Sequence, residues 1–121
     1  MTPFSTVVAV AVGSWLAISG GSWSPSPAQV DEIQNELKPY VIQQAAAQHR
    51  KLPDWSRYTF QYQGQMHGGR KVVFINAFCI SPPGYARQQF VLVLDGGTCF
   101  FEVMYDPDKK EFFQLLFNGE A

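Results

Sequence analysis

The sequence is poor in charge, in histidine and in cysteine. Charged side chains make up 16% of it, the formal net charge is −1, and no acidic or basic side chain precedes Asp31. The basic clusters go no further than Arg50-Lys51 and Arg70-Lys71. Such a chain has no field to hold a polyanion, which disfavours nucleic-acid binding. The two histidines, His49 and His67, have no other His, Cys or carboxylate at a ligand spacing, so no metal is expected. Neither Gly68-Gly69 nor Gly96-Gly97 belongs to a phosphate-cradling motif, and no cofactor is expected. The two cysteines lie in apolar runs where free thiols are usually inert, so no catalytic residue is assigned.

What the chain does have is apolar and aromatic residues, 46% and 15% of the total, ample for one packed domain. The run from Phe4 to Ile18 is shorter than the ~20 residues a membrane span needs, and turn-prone residues up to Ala28 follow it. Residues 1–28 therefore read as a signal peptide, although the usual positive n-region is missing. Small residues at Ala17 and Ser19, or at Ser26 and Ala28, would suit a cleavage site. No Cys stands near the end of the run to carry a lipid, so no stable membrane anchor is expected after cleavage. An alternative is an N-terminal strand built from Val7, Val8, Val10 and Val12. Residues 29–121 then form a single α+β domain.

Ser26-Pro27-Ala28-Gln29 offers an N-cap, a proline at the first helical position and a capping-box glutamine. Val30, Ile33, Leu37, Tyr40 or Val41, and Ala45 continue an apolar stripe, with a kink or break predicted near Asn35 to Lys38 ahead of Pro39. His49 falls in the last turn, and Leu52-Pro53-Asp54 ends the helix.

Tyr58, Phe60 and Tyr62 alternate with polar residues as a half-buried strand, followed by a turn over Gln65 to Gly69. Lys71 to Ile80 is apolar in both parities except at Asn76 and reads as a central strand. Three more strands are predicted at Gln89–Leu94, Thr98–Tyr105 and Glu111–Phe117. A hairpin at Gly96-Gly97 would set Leu94 opposite Cys99 and Val91 opposite Glu102. Phe74, Ile75, Phe78, Leu92, Phe101, Val103 and Leu115 are the expected core. The fold class is α+β: one kinked N-terminal helix packed on a mostly antiparallel sheet of four to five strands.

Trp55, Arg57, Tyr58 and Tyr62 form a candidate binding surface, since amphipathic rings beside an arginine suit recognition. Asn76 and Glu102 form a candidate buried polar pair. Cys79 and Cys99 suggest a disulfide in an exported protein. A simple meander would put them at opposite ends of the sheet, beyond the ~7 Å that a bridge allows between Cα atoms. If Ser81 to Arg87 carries the chain back across the sheet, Cys79 falls opposite Cys99 and Asn76 opposite Glu102. The reading favours the bridge, with a non-meander strand order as its corollary.

With these elements in place the chain resembles the cystatin-like and NTF2-like α+β superfamilies, in which a helix packs across an antiparallel sheet. KVVFINAFC, VLVLDGGTCFFEVMYDP and FNGEA, within Lys71 to Ala121, are also similar to small uncharacterised exported bacterial proteins with an LDGGxC(F/Y)F…YD…NGEA ending. That group implies export and no particular activity. The inhibitory Q-x-V-x-G loop of cystatins is not met, because Gln61-Tyr62-Gln63-Gly64-Gln65 lacks the valine and the spacing. The expectation is a periplasmic or secreted, non-enzymatic binding or structural module that recognises a protein or small ligand, an inhibitor or immunity role being one version of it. The alternative is an NTF2-like ligand-pocket protein or enzyme, favoured by a polar-lined pocket above ~300 Å³ under the helix.

Overall fold

The computed structural model describes Val10 and residues 13–119. The strand formers Val7, Val8 and Val12 lie outside the described residues. The elements in chain order are β1 (Trp15–Ala17), α1 (Pro27–Ala47), β2 (Thr59–His67), β3 (Arg70–Phe78), β4 (Phe100–Asp106) and β5 (Glu111–Phe117). One helix packs on an open five-stranded sheet in the order β1-β2-β3-β4-β5, parallel between β1 and β2 and antiparallel elsewhere.

The helix starts where the capping box predicts. Ser26 Oγ accepts from the Gln29 amide at 3.2 Å, and the Ser26 amide donates to Gln29 Oε1 at 2.9 Å. The expected break at Pro39 does not occur, and α1 runs uninterrupted to Ala47. Asn35, Lys38 and Pro39 all lie on the exposed side, so solvent can hydrate the Asn35 carbonyl that proline leaves without a partner. His49 is not in the last turn but just past it, with φ 54°. Its amide donates to Ala46 O at 3.1 Å and the Arg50 amide to Ala45 O at 2.9 Å, a Schellman closure made without glycine.

The stripe Ile33, Leu37, Val41 and Ala45 is almost fully buried against Tyr58, Phe60, Val73, Ile75, Phe101 and Val103. Each aliphatic side chain so buried stabilises the fold by roughly 1.5–3 kcal/mol. The opposite face of the sheet carries a second, smaller cluster: Leu16, Phe78, Ala86, Val91 and Phe100.

That second face is covered by the chain between β3 and β4, and here the structure corrects the sequence reading. Gln89–Leu94 is not a strand, and the expected pairs Leu94–Cys99 and Val91–Glu102 do not form. β3 already has β2 on one side and β4 on the other, so no ladder edge is open to this segment. It crosses the face as a strap, with Val91 turned in and Leu92 and Leu94 turned out. Its backbone is held by two buried amides. Gln61 Nε2 donates to the Ala86 and Gln89 carbonyls at 2.7 and 2.8 Å, Gln61 Oε1 accepts from the Val91 amide at 2.9 Å, and Asn76 Nδ2 donates to Val91 O at 2.9 Å.

The strap also explains the cysteines. Cys79 and Cys99 form a disulfide with Cα atoms 5.0 Å apart at the base of the strap, on the rung after Phe78–Phe100. The bridge is therefore compatible with strands in sequential order, and the non-meander order is not needed. With no strand between β3 and β4, the two cysteines are neighbours. Leu92 is exposed, and Phe74 and Leu115 are only partly buried, contrary to the expected core; Phe74 packs edge-on against Phe90 of the strap at 5.2 Å.

Residues 15–23, expected within the targeting segment, contribute to the sheet. Leu16 and Ile18 are buried, and Trp23 Nε1 donates to the carbonyls of Gln65 and Val72, each at 3.0 Å. This segment crosses β2 at Gly64, where a Cβ would run into the Trp23 backbone. On β5, Gln114 takes φ 53° within a bulge opposite Val103. The bulge shifts parity, so Phe112 before it and Leu115 and Phe117 after it all pack toward the helix.

Candidate functional site

Of the four residues expected to share a binding surface, Trp55 and Tyr58 pack together within the fold, and Arg57 alone is exposed. Tyr58 is buried, and its hydroxyl donates to the Thr98 carbonyl. Burial pushes its phenol pKa up, beyond any physiological titration. Trp55 sits on a 3-10 turn with its ring packed on Tyr58, Phe60 and Phe101 at 5.3, 5.4 and 6.2 Å. Tyr62 is partly buried beside Trp15, at 6.3 Å, while Arg57 is exposed near the disulfide. These aromatics are mainly helix-to-sheet packing. Asn76 does stand opposite Glu102 in the register, yet its amide is committed to Gln61 Oε1 and Val91 O, and no hydrogen bond joins it to Glu102. The polar partner of Asn76 is Gln61, its neighbour on β2.

An open groove of about 610 Å³ lies along the flank of α1 where it meets the start of β5. Its floor is aromatic: Phe112 packs against Tyr40 of the helix at 5.2 Å and against Tyr105 of β4 at 4.8 Å. Its rim is acidic, with Glu32, Glu36 and Glu111, and has one ammonium, Lys110. The Tyr105 hydroxyl donates to Glu32 Oε1 at 2.8 Å, and Lys110 Nζ lies 3.6 Å from the same oxygen. Burial, the bond to Glu32 and the nearby carboxylates Glu32, Glu36 and Asp106 push the Tyr105 pKa up, so this phenol stays protonated and keeps donating to Glu32. Burial raises Tyr40 as well.

No known protein family, curated protein or solved structure matches the chain. The site must therefore be judged on its own chemistry. Every buried side-chain nitrogen and oxygen among the described residues has a hydrogen-bond partner, and no three His, Cys, Asp or Glu residues converge as a metal site among them. The groove offers aromatic rings, one carboxylate held by a hydrogen bond and two exposed ones, a lining suited to binding.

A second groove, about 460 Å³, lies on the other flank of the helix between Ile42, Ala45 and the Leu52–Trp55 segment. It is mostly apolar, and Trp55 is the one expected surface residue that lines it.

Sequence reasoning missed the first groove. The helical half was readable, since Glu32, Glu36, Tyr40 and Gln43 follow at helical spacings beside the apolar stripe. The other half comes from β5, and the pattern of one strand does not say which helix flank it will adjoin.

Proposed function

We propose that this chain is an exported, non-enzymatic binding module of cystatin-like architecture, which seats a partner protein in the groove between α1 and β5. The observation that carries the reading is the filled space between helix and sheet: Ile33, Leu37 and Val41 are at most 1% exposed, so the binding volume lies on the outside of the helix. A cone under the helix, which an NTF2-like pocket protein or enzyme would use, is taken up by those side chains. The recess that remains is large enough for a side chain or short segment of a partner.

Export draws support from the Cys79–Cys99 disulfide, because such bridges persist in oxidising compartments. No helix among the described residues is long and apolar enough to cross a membrane. Because Leu16, Ile18 and Trp23 pack in the fold, we infer that residues 13–28 stay with the mature chain and that no cleavage occurs at residue 28. Intact mass of the protein from its native host tests this, and a mature chain starting at Gln29 would refute it.

The groove is tested by placing a photo-crosslinking amino acid at Gln43, beside Tyr40, or at Arg87 on the strap, and irradiating the native host. An adduct from Gln43 that Phe112→Ser abolishes is the expected result. An adduct from Arg87 alone, or one from Gln43 that survives Phe112→Ser, refutes the groove as the binding surface.

A further inference from the structure

We infer that the occupant of the α1–β5 groove is a lysine or arginine side chain presented by the partner protein. This rests on the proposed binding role of the groove and adds the chemistry of what enters it.

Three features select a cation with an apolar stem. The first is the Tyr40–Phe112 pair, two half-buried rings 5.2 Å apart, with the buried ring of Tyr105 packed behind Phe112 at 4.8 Å. Ring faces attract cations, and the alkyl stem of lysine or arginine can cover apolar surface while its head reaches the rim. The second is the rim charge, three carboxylates against one ammonium, which repels a carboxylate or phosphate ligand.

The third is the way Glu32 is held. Both of its contacts, the Tyr105 hydroxyl and Lys110 Nζ, fall on Oε1. Oε2 has no partner among the described residues. Tyr105, itself buried and anchored in the sheet, thus fixes a carboxylate at the edge of the ring pair with one oxygen open to a donor. Lys110 shows that an ammonium is accommodated beside this carboxylate. Its own side chain is 69% exposed and its contact is long, so an incoming cation can displace it at little cost.

An anionic or neutral occupant fits less well. A neutral apolar group would cover the rings but strip water from Glu32 and Glu36 with nothing to replace it. A basic side chain satisfies the rings and the carboxylates together.

The test uses the full chain and two synthetic probes, acetyl-Gly-Lys-Gly-Arg-Gly-amide and the same peptide with acetyllysine and citrulline in place of Lys and Arg. NMR follows the ring resonances of Tyr40 and Phe112. The basic probe should shift them, and the neutralised probe should not. Glu36→Gln with Glu111→Gln should weaken the basic probe by roughly fivefold, within the range for exposed cation–ring and ion-pair contacts. Lys110→Met, which removes the internal competitor, should tighten it. These residues are exposed, and thermal melts check that each variant is folded. Equal shifts from both probes, no shift from the basic probe, or unchanged affinity in the Glu36/Glu111 variant would each overturn the inference. If the Gln43 adduct nonetheless forms and depends on Phe112, the groove reading stands and only the cation is wrong.

Discussion

Gln61 holds more of this fold than its surface-like identity suggests. It is fully buried on β2 and makes four hydrogen bonds: to the carbonyls of Ala86 and Gln89, from the Val91 amide and from Asn76 Nδ2. Gln61→Met keeps the volume and removes all of them. At about 1 kcal/mol per net bond the loss is ~4 kcal/mol, with a further penalty for the buried Val91 N–H left unpaired. The strap limits the damage, because it can lift off and rehydrate those groups at the expense of burying Ala86 and Val91, while the disulfide keeps it tethered. The expected outcome is therefore a loss of about 2–4 kcal/mol in urea melts, together with fast hydrogen exchange at the Val91 amide and intact protection in β3 and β4. Gln63→Met, where the side chain donates to Ile18 O and Ser19 O and accepts from Gln65 Nε2, is the control. A loss below about 1 kcal/mol with Val91 still protected would refute the claim that buried amides hold the strap.

Three further outcomes are expected. Unfolded, unreduced protein should show no titratable thiol, and Cys79→Ser with Cys99→Ser should cost roughly 3 kcal/mol, the loop-entropy value for a bridge spanning 20 residues. His49→Gly should stabilise by about 0.5–1 kcal/mol in denaturant melts, because φ 54° burdens histidine and not glycine; destabilisation would mean the imidazole has a role of its own. Asp106 accepts from the Lys109 and Asp108 amides and pairs with Arg70 at 2.9 Å, which holds its carboxyl below the usual value. A lowered folded pKa contributes stability that is complete above the unfolded value and is lost as pH falls through the folded one. Asp106→Asn should accordingly lower Tm near neutral pH and flatten its decline in acid. An acid limb identical to wild type would show that the carboxylate is not the cause.

The legible parts of the sequence were those decided by local chemistry. Ser26 and Gln29 cap a helix by contacts within one turn, and the ends of β5 follow from Asp106-Pro107-Asp108 and the EFFQLLF run. The Asn76–Glu102 register was readable because it follows from joining the only two cysteines. The segment QFVLVL was misread because high β propensity specifies an extended chain and not a free ladder edge, and β3 had none to offer. β1 lies inside the run expected to target, because an apolar run near the start of a chain looks the same whether it targets or packs. The aromatic groove was invisible for a third reason. Tyr40 and Phe112 are far apart in sequence, and each reads as ordinary core by its own period.

The claim that this protein works through the α1–β5 groove is tested most directly by the affinity of the partner captured through Gln43, measured against wild type, Phe112→Ser and Leu94→Ser. Leu94 is 98% exposed on the strap and marks a rival surface. The account predicts that Phe112→Ser weakens binding by at least about tenfold, the 1.4 kcal/mol expected for losing the centre of an aromatic contact, and that Leu94→Ser leaves it unchanged. The opposite pattern, with Leu94→Ser weakening binding and Phe112→Ser tolerated, would contradict it.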